Sequence, residues 1–488
     1  MKRIAYFLMA VLTVASVVSC ADQATTDNGT VTKSDDAVAA ETDAVTEEPS
    51  LLDSLGEKDL GGMVYTIFDC NSHPELQINI PGEEMTGDVV NDALLTRDLY
   101  LEERYNCSIE YIQQNDINKL KSMVTAGDDE WQMIIATMVS LNSQATAGYL
   151  ADMCDMPYLE MDQNWWNPLM YENMRLHEAM YFTASDIAPG VYKMPGCMFL
   201  NLKLYTDYDY DFDIFQSVID GKWTVEQLRT MTKDMDNDLN MDNSWNVDDD
   251  FFGFAMQKDS TEASQILLAG AGVQFSHINE AGDNITCDLL SDSHAVQVIE
   301  GVSDLFKSIN LGADGDINGF SNILFESDRA LFFMHKLESA AVHLRDMKSD
   351  YLILPAPKWD ENQESYYSFL SPWGSCFIAL PQTVTGNENY GFFTEALARY
   401  SREVVRPVAY DLVYKEKDTR DERSAKVLDI LLDSTYIDFA SLYDFGGVNG
   451  VLVNVLYKDQ PLASNIEKIQ SKIDTSIAKL VEAWMPIE

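Results

Sequence analysis

Short apolar runs alternate with segments of helical periodicity in the first part of the chain that looks folded. The runs at 62–68, 107–112 and 131–136 have the length of strands, whereas 89–105 and 117–126 carry apolar residues every three or four positions. This order predicts an α/β fold with a parallel sheet. Sheets of this kind present their ligand-binding loops at the carboxyl ends of the strands.

The amino-terminal pattern is different, with two cations followed by an uncharged run. A lysine and an arginine at positions 2 and 3 precede residues 4–18, which carry no charged side chain. This layout is typical of an export signal. As a helix the run would be about 22 Å long, short of the roughly 30 Å hydrocarbon core of a bilayer. We therefore predict a signal peptide over residues 1–19 rather than a membrane span.

The next residues indicate how the exported chain is held. Residues 17–20, Val-Val-Ser-Cys, resemble a lipobox, in which the cysteine is lipidated and becomes the new amino terminus. We predict lipidation of Cys20 and attachment to the extracytoplasmic face of the cell membrane, because two acyl chains suffice for anchoring. The alternative is an ordinary secretory signal with an incidental cysteine. Residues 20–57 contain no aromatic side chain and are rich in Asp, Glu, Thr and Ala, which predicts a disordered acidic tether.

Length and charge narrow the classes of protein. The 488 residues exceed what one hydrophobic core usually holds, so we expect at least two domains. The formal net charge of −47 excludes nucleic acid as a partner, since counterion release requires a basic face. Six cysteines besides Cys20 are scattered with no CxxC pair. We expect buried free thiols, and disulfides are the alternative that export permits.

Several segments resemble the family 1 extracellular solute-binding proteins that serve ABC importers. The segment 147–153 is similar to the family's G-x-L-x-D element, and 198–205 is similar to its first crossing between lobes. The segment 221–228 is similar to its helix entry W-T-W-D-E-L, with Thr224 as the N-cap. The segment 351–358, Tyr-Leu-Ile-Leu-Pro-Ala-Pro-Lys, is similar to its Y-G-I-L-P-x-P-K element.

The resemblance extends in family order over roughly residues 60 to 485, with departures. The segment 325–333 is similar to the family's G-x-A-A-M strand, but Ser327 or Asp328 replaces the glycine. Residues 334–336, Met-His-Lys, stand where sugar-binding relatives have a Gly-Pro-Trp wall. This second departure weakens the assignment to the sugar-binding class.

The resemblance implies a two-lobe α/β fold of the type II periplasmic-binding-protein kind, with a ligand cleft between the lobes and hinge crossings. Lobe 1 is expected at 58–196 plus 378–432, and lobe 2 at 200–368 plus 436–488. The implied function is that of a monomeric receptor that closes over a small solute, with carbohydrate as the expected class, and delivers it to an ABC permease. No cofactor is required.

Candidate contacts for such a solute combine flat aromatic faces with fixed polar groups. Trp373 lies beside the expected second crossing, and its alternative is a core tryptophan that closes the hinge. A turn or cap is the alternative for Asp186, Thr137 and Ser140, and a satisfied structural histidine is the alternative for His335. The candidates are Trp373, Trp166, Trp165, Asp186, Thr137, Ser140 and His335.

An acidic run places oxygen-bearing side chains at every second position, as calcium loops do. An EF-hand would have glycine at its sixth position and glutamate at its twelfth, and this run has Leu239 and Trp245 there. Calcium binding therefore requires a longer loop, and the alternative is a solvated acidic hairpin. The candidate ligands are Asp234, Asp236, Asp238, Asn240 and Asp242.

Enzyme motifs are missing from the sequence. It has no HExxH, no G-x-S-x-G and no phosphate-binding loop. Carboxylate pairs are uninformative in a chain with 80 acidic residues. We therefore expect a binding protein rather than an enzyme. The alternatives are a receptor of the same fold for a peptide or another polar solute, and a cell-surface lipoprotein with a hydrolytic or adhesive role.

Overall fold

In a computed structural model the described part of the chain forms two main sheets, of four and five strands, and two small sheets of two strands each. The structure describes residues 50–71, 79–257, 260–287, 289–309, 311–312, 320–372, 374–408 and 422–485. The strands are β1 (Met63–Asp69), β2 (Cys107–Gln113), β3 (Met133–Thr137), β4 (Gly196–Asn201), β5 (Phe252–Met256), β6 (His277–Ile278), β7 (Ile285–Thr286), β8 (Leu311–Gly312), β9 (Ala330–Lys336), β10 (Tyr351–Pro355), β11 (Ser368–Phe369), β12 (Cys376–Ala379) and β13 (Thr435–Tyr436).

Helices cover and connect the sheets. They are α1 (Leu51–Leu55), α2 (Val89–Tyr105), α3 (Lys119–Ala126), α4 (Met138–Thr146), α5 (Pro168–Met174), α6 (Leu202–Asp207), α7 (Ile214–Ile219), α8 (Val225–Thr232), α9 (Thr261–Gly270), α10 (Ser293–Ser308), α11 (Phe320–Glu326), α12 (Ser339–Val342), α13 (Glu388–Val404), α14 (Glu422–Asp433), α15 (Phe439–Tyr443), α16 (Val448–Lys458) and α17 (Leu462–Ala483). Short 3-10 turns form at Pro189–Lys193, Gln382–Val384 and Phe445–Gly447. No helix in the described part of the chain is long and apolar enough to cross a membrane.

The first sheet has the strand order β12-β3-β1-β2. Its strands β1, β2 and β3 are parallel, and β12 runs antiparallel beside β3. The strands and helices predicted from 62 to 136 form in the predicted order, so the expected α/β beginning is confirmed. Phe68 of β1 stacks on Trp131, which precedes β3, with ring centroids 3.8 Å apart. This aromatic contact helps to pack the two strands together.

The second sheet has the order β10-β4-β9-β5-β8. Its strand β4 is antiparallel to both neighbours, whereas β5 and β9 are parallel. The carboxyl ends of β5, β9 and β10 therefore share one edge with the start of β4. The predicted strand at 325–333 begins later, at Ala330, because residues up to Glu326 belong to α11.

Two described stretches link the two sheets. Thr183 bridges to Ile378 in the first sheet, and the chain enters the second sheet at Gly196. We call residues 184–195 the first crossing and residues 370–375 the second, and β13 pairs with β11 just before the second crossing. The predicted crossing at 198–205 lies instead in β4 and α6, because its apolar residues are buried as a strand of the second sheet.

Two further expectations are corrected by packing. The predicted tether of 20–57 is wrong at its end, because Ser50 caps α1 and Leu52 is buried against the body. The predicted boundary at 432 assigns α14 to the first lobe, whereas α14 packs against β10 and α7 of the second sheet. The expected N-cap of α8 is confirmed, since Thr224 Oγ1 accepts a hydrogen bond from the Gln227 amide.

The predicted free thiols agree with the structure where it describes them. Cys70, Cys197 and Cys376 are buried free thiols. Burial raises the pKa of the Cys376 thiol to about 12, so it is protonated and unreactive at neutral pH.

Candidate functional site

The carboxyl edges of the two sheets meet along the crossings. On the first sheet this edge holds the ends of β1 and β3 and the start of β12, where Cys376 pairs with Thr137. Two residues earlier, a Cβ placed on Gly374 would lie 3.8 Å from Nζ of Lys336 at the end of β9. We call this region the facing edges. Ligands of open α/β sheets bind outside such strand ends.

Charged side chains at the end of β9, at the starts of α9 and α12, and in the first crossing converge at the facing edges. Nζ of Lys336 lies 3.0 Å from Oε1 of Glu338 and 3.9 Å from Oε2 of Glu262, and all three side chains are largely buried. Burial alone would lower the pKa of Lys336, but the two carboxylates hold it above its usual value. Lys193 of the first crossing interacts with Glu338 and with Asp88 at the start of α2. The two lysines thus face carboxylates at the starts of helices that pack on the first sheet, as α2 does, and on the second, as α9 does.

Buried polar groups of the first sheet complete the region. Asp69 at the end of β1 is fully buried, and burial raises the pKa of its carboxyl to about 6 although the Asn71 amide donates to it over 3.0 Å. The hydroxyls of Ser371 and Ser375 in the second crossing are buried and have no hydrogen-bond partner within the described chain. Such hydroxyls gain free energy when a ligand supplies the missing hydrogen bond.

Three predicted site residues belong to the facing edges. Thr137 caps α4, and its hydroxyl lies 2.9 Å from that of Ser140. His335 Nδ1 lies 2.7 Å from the Ser339 hydroxyl, and burial lowers the pKa of this imidazole to about 4. His335 is therefore neutral at pH 7 and bonded within its own lobe. Trp373, the strongest candidate from the sequence, lies outside the described residues, as does Cys20.

A separate cavity lies beside the first crossing. We call it the crossing cavity; it has a volume of about 290 Å³. Its walls come from the first crossing, from the carboxyl-terminal end of α13 and the residues after it, and from the end of α14 and β13. The principal lining side chains are Trp166, Asp186, Tyr192, Arg402, Arg406 and Asp433.

The charges of the crossing cavity are paired with one another. Asp186 Oδ2 lies 3.5 Å from Arg402 Nη1, Asp186 Oδ1 lies 3.8 Å from Arg406 Nη1, and the Tyr192 hydroxyl donates to Asp186. Burial raises the pKa of Asp186 to about 6 despite both arginines. Arg406 Nη2 also lies 2.5 Å from Asp433 Oδ1, and its guanidinium lies 5.1 Å from the Tyr192 ring centroid.

A buried carboxylate holds the aromatic wall of this cavity. The indole N–H groups of Trp165 and Trp166 donate to the two oxygens of Glu395, over 2.7 and 3.0 Å. Glu395 is fully buried and also accepts from Arg399 Nε over 2.8 Å. Of the predicted pair, Trp166 lines the cavity, whereas Trp165 is covered by Arg399, whose guanidinium lies 4.4 Å from its ring.

Comparison with solved structures identifies the fold to which the two sheets belong. The chain is similar to a cyclo/maltodextrin-binding protein solved with maltotetraose, with 12% identity, a TM-score of 0.53, and coverage of 87% of this chain and 98% of that one. The fold is that of a two-lobe solute-binding protein. The predicted fold class is confirmed, with the first sheet in lobe 1 and the second in lobe 2.

The chain is also similar to the GacH receptor of Streptomyces glaucescens, solved unliganded and with acarbose, with 13% identity, a TM-score of 0.46, and coverage of 87% and 97%. No family model matches the sequence, and no curated protein matches it. At these identities the likeness concerns the fold, and the argument about function depends on the residues of this chain.

The acidic run of lobe 2 lies far from both regions in the sequence and bonds to its own backbone. Asp236 accepts from the Gly253 amide, Asp238 from the Asp242 and Asn243 amides, and Asn240 Oδ1 from the Asp242 amide. No three His, Cys, Asp or Glu side chains of the described residues are grouped to hold a metal ion. Calcium binding by Asp234, Asp236, Asp238, Asn240 and Asp242 stays a prediction.

Sequence reasoning missed the partners of the residues that it named. Arg402 and Arg406 are a pair at i, i+4 in a chain with only 33 cations, which is the one signal that pointed to them. Lys336 follows the predicted His335 directly, and its cationic character at a strand end was a usable signal. Nothing local in the sequence marks Glu395, which is one of 80 acidic residues.

Proposed function

We propose that this protein is a receptor that captures a small solute of the carbohydrate class at the facing edges and closes its two lobes over it. The observation that carries the proposal is the convergence of Lys336, Glu338, Glu262 and Lys193 where the carboxyl edges of the two sheets meet. The maltodextrin-binding protein of the same fold, solved with maltotetraose, supports the carbohydrate class.

The chemistry of the facing edges suits a ligand rich in hydroxyl groups. Carboxylates of Glu262 and Glu338 accept hydrogen bonds, Lys336 donates, and the hydroxyls of Ser371 and Ser375 do either. A solute that contacts groups on both lobes binds the closed state better than the open one, which biases the hinge toward closure.

The test is calorimetric titration of the full-length protein with a panel of mono- and oligosaccharides, oligopeptides and polyamines. We expect one sugar class to bind and Lys336→Gln to weaken it about tenfold or more, because the variant leaves two carboxylates without their shared cation. Lys203→Gln is the matched control, since Lys203 pairs with Asp328 over 2.9 Å on the exposed surface of lobe 2. Equal affinity in both variants, or binding of peptides alone, would contradict the proposal.

We propose further that the chain is exported, anchored by lipid on Cys20, and presents the closed form to an ABC permease. The lipobox-like residues 17–20 support the anchor. Cys20→Ala should move the protein from the membrane fraction to the soluble fraction with its melting temperature unchanged. Recovery of the variant in the membrane fraction as fully as the wild type would rule out the lipid anchor. Co-purification of permease subunits with the wild type, enriched by the bound sugar, tests the partner.

A further inference from the structure

We propose that the crossing cavity is a second binding site, separate from the facing edges, for a single uncharged sugar ring. It is lined by Trp166, Tyr192, Asp186, Asp433 and two arginines, none of which contributes to the facing edges. The proposal rests on the cavity's charge pairing, aromatic wall and size, and it does not require the receptor function proposed above.

Charge pairing selects against ionised ligands. Among the described lining residues the cations are Arg402 and Arg406 and the anions are Asp186 and Asp433, so the described lining has no net charge. Each guanidinium already faces a carboxylate, at 3.5 Å for Arg402 and 2.5 Å for Arg406. An anionic ligand would therefore meet no net positive charge, and it would approach a chain of net charge −47. A cationic ligand would find both carboxylates engaged.

The remaining hydrogen-bonding capacity suits hydroxyl oxygens. Arg402 is 24% exposed, and among the described residues its carboxylate contact is with Asp186, so a guanidinium with five N–H donors keeps capacity for a ligand. The Thr435 hydroxyl accepts from the Asn167 amide over 2.9 Å and can donate its own proton into the cavity. An uncharged polyol accepts such bonds without disturbing the paired charges.

The wall and the volume indicate one ring. Trp166 is held by Glu395, so the wall is formed before a ligand arrives, and the apolar C–H face of a sugar ring packs on such aromatic surfaces. A volume of about 290 Å³ lies at the small end of the roughly 300 to 1,000 Å³ typical of small-molecule pockets. This fits one ring and not an oligosaccharide.

The experiment titrates full-length Lys336→Gln protein, in which the facing edges are weakened, with matched sugars. The probes are glucose, galactose and mannose, the uronate of each, and maltotetraose. We expect at least one hexose to bind, its uronate to bind at least tenfold more weakly, and maltotetraose to bind no tighter than the hexose. Binding should fall at least tenfold in Trp166→Leu and persist in Trp245→Leu, whose indole lies on the exposed acidic loop.

A charge variant keeps the test decisive if Trp166→Leu folds poorly. Asp433→Asn changes an exposed side chain and gives the lining residues a net charge of +1, so the uronate should gain about tenfold relative to its hexose. Glu422→Gln is the matched control, because it makes the same charge change at the other end of α14. The proposal would be overturned if no hexose binds to the Lys336→Gln protein, or if that protein prefers a uronate. It would also be overturned if adding Asp433→Asn leaves the ratio of uronate affinity to hexose affinity unchanged.

Discussion

The facing edges and the crossing cavity use the same kinds of side chain in opposite ways. At the facing edges Asp69 is buried with no ion pair to any described residue, and the hydroxyls of Ser371 and Ser375 have no hydrogen-bond partner in the described part of the chain. In the crossing cavity the carboxylates face arginines, and the aromatic wall is bonded to Glu395. Unsatisfied groups cost stability until a ligand arrives, whereas satisfied groups form a rigid pocket. The first region suits closure around a solute, and the second suits binding without rearrangement.

Loss of the buried carboxylate behind the cavity should have the largest effect on stability. Glu395→Leu removes the acceptor for two indole N–H groups and leaves Arg399 buried beside an apolar side chain. We expect the free energy of unfolding to fall by about 3 to 5 kcal/mol, measured by denaturant titration. Glu160→Ala is the control, because Glu160 pairs with the same arginine over 2.9 Å but is 53% exposed, so it should cost less than about 1 kcal/mol. Similar losses in the two variants would mean that the wall is not held by Glu395.

Removal of the buried carboxylate of Asp69 at the facing edges should instead raise the free energy of unfolding. Burial raises the pKa of Asp69 to about 6, so the folded state holds this proton more tightly than the unfolded state. The contribution of Asp69 to the stability of the wild type therefore falls as pH rises from about 4 to 6, and this contribution is absent from Asp69→Asn. At pH 8 the variant should be more stable by about 1 to 3 kcal/mol.

The crossing cavity supplies the comparison for this result. Asp186 also has a pKa of about 6, but Asp186→Asn leaves two arginines facing an amide. At pH 8 the free energy of unfolding of Asp186→Asn should rise by less than that of Asp69→Asn, or it should fall. Thermal unfolding of both variants between pH 4 and 8 measures the difference. If Asp69→Asn is the less stable of the two at pH 8, the contrast between unpaired and paired carboxylates fails.

Sequence patterns predicted the helices and strands better than the binding sites, because helices and strands depend on residues that are neighbours in the sequence. Strand and helix periodicity sufficed for β1, α2 and β2, and a threonine followed by a glutamine three residues later sufficed for the cap of α8. The crossing cavity joins Asp186 to Arg402 and Arg406, more than 200 residues away, and no periodicity encodes that distance. Asp186 and Trp166 were identified individually, but their arginine and carboxylate partners emerge only from the fold.

The shift of the first crossing has a similar cause. The run Gly196–Asn201 is entirely apolar up to Asn201 and fits a buried strand or a linker equally well by composition. Pairing with β9 and β10 decides between them, and those strands lie more than 130 residues later. Likewise Leu51 and Leu52 are too few for a periodic signal, and their burial depends on the distant α13.

The smallest effect is expected in the acidic loop, which belongs to neither region. Asp238→Ala removes an acceptor for two backbone amides on an exposed loop, so it should cost about 1 kcal/mol or less. We expect the same melting temperature in calcium and in chelator, because these side chains already accept from their own backbone. A rise in melting temperature with calcium that disappears in Asp238→Ala would support the calcium prediction instead.

The packing of α1 against α13 determines which part of the protein bears a force applied to the chain before Ser50. Ser50 Oγ donates to Glu403 over 2.9 Å, and Arg399 bonds to the Leu51 carbonyl over 3.2 Å and to the Ser54 hydroxyl over 2.6 Å. A pull on the chain before Ser50 is therefore transmitted to α13 and lobe 1. In the anchored receptor proposed above, lobe 1 would therefore be held by the tether and lobe 2 would move relative to it, and the five-residue helix α1 would set the orientation of the opening between them.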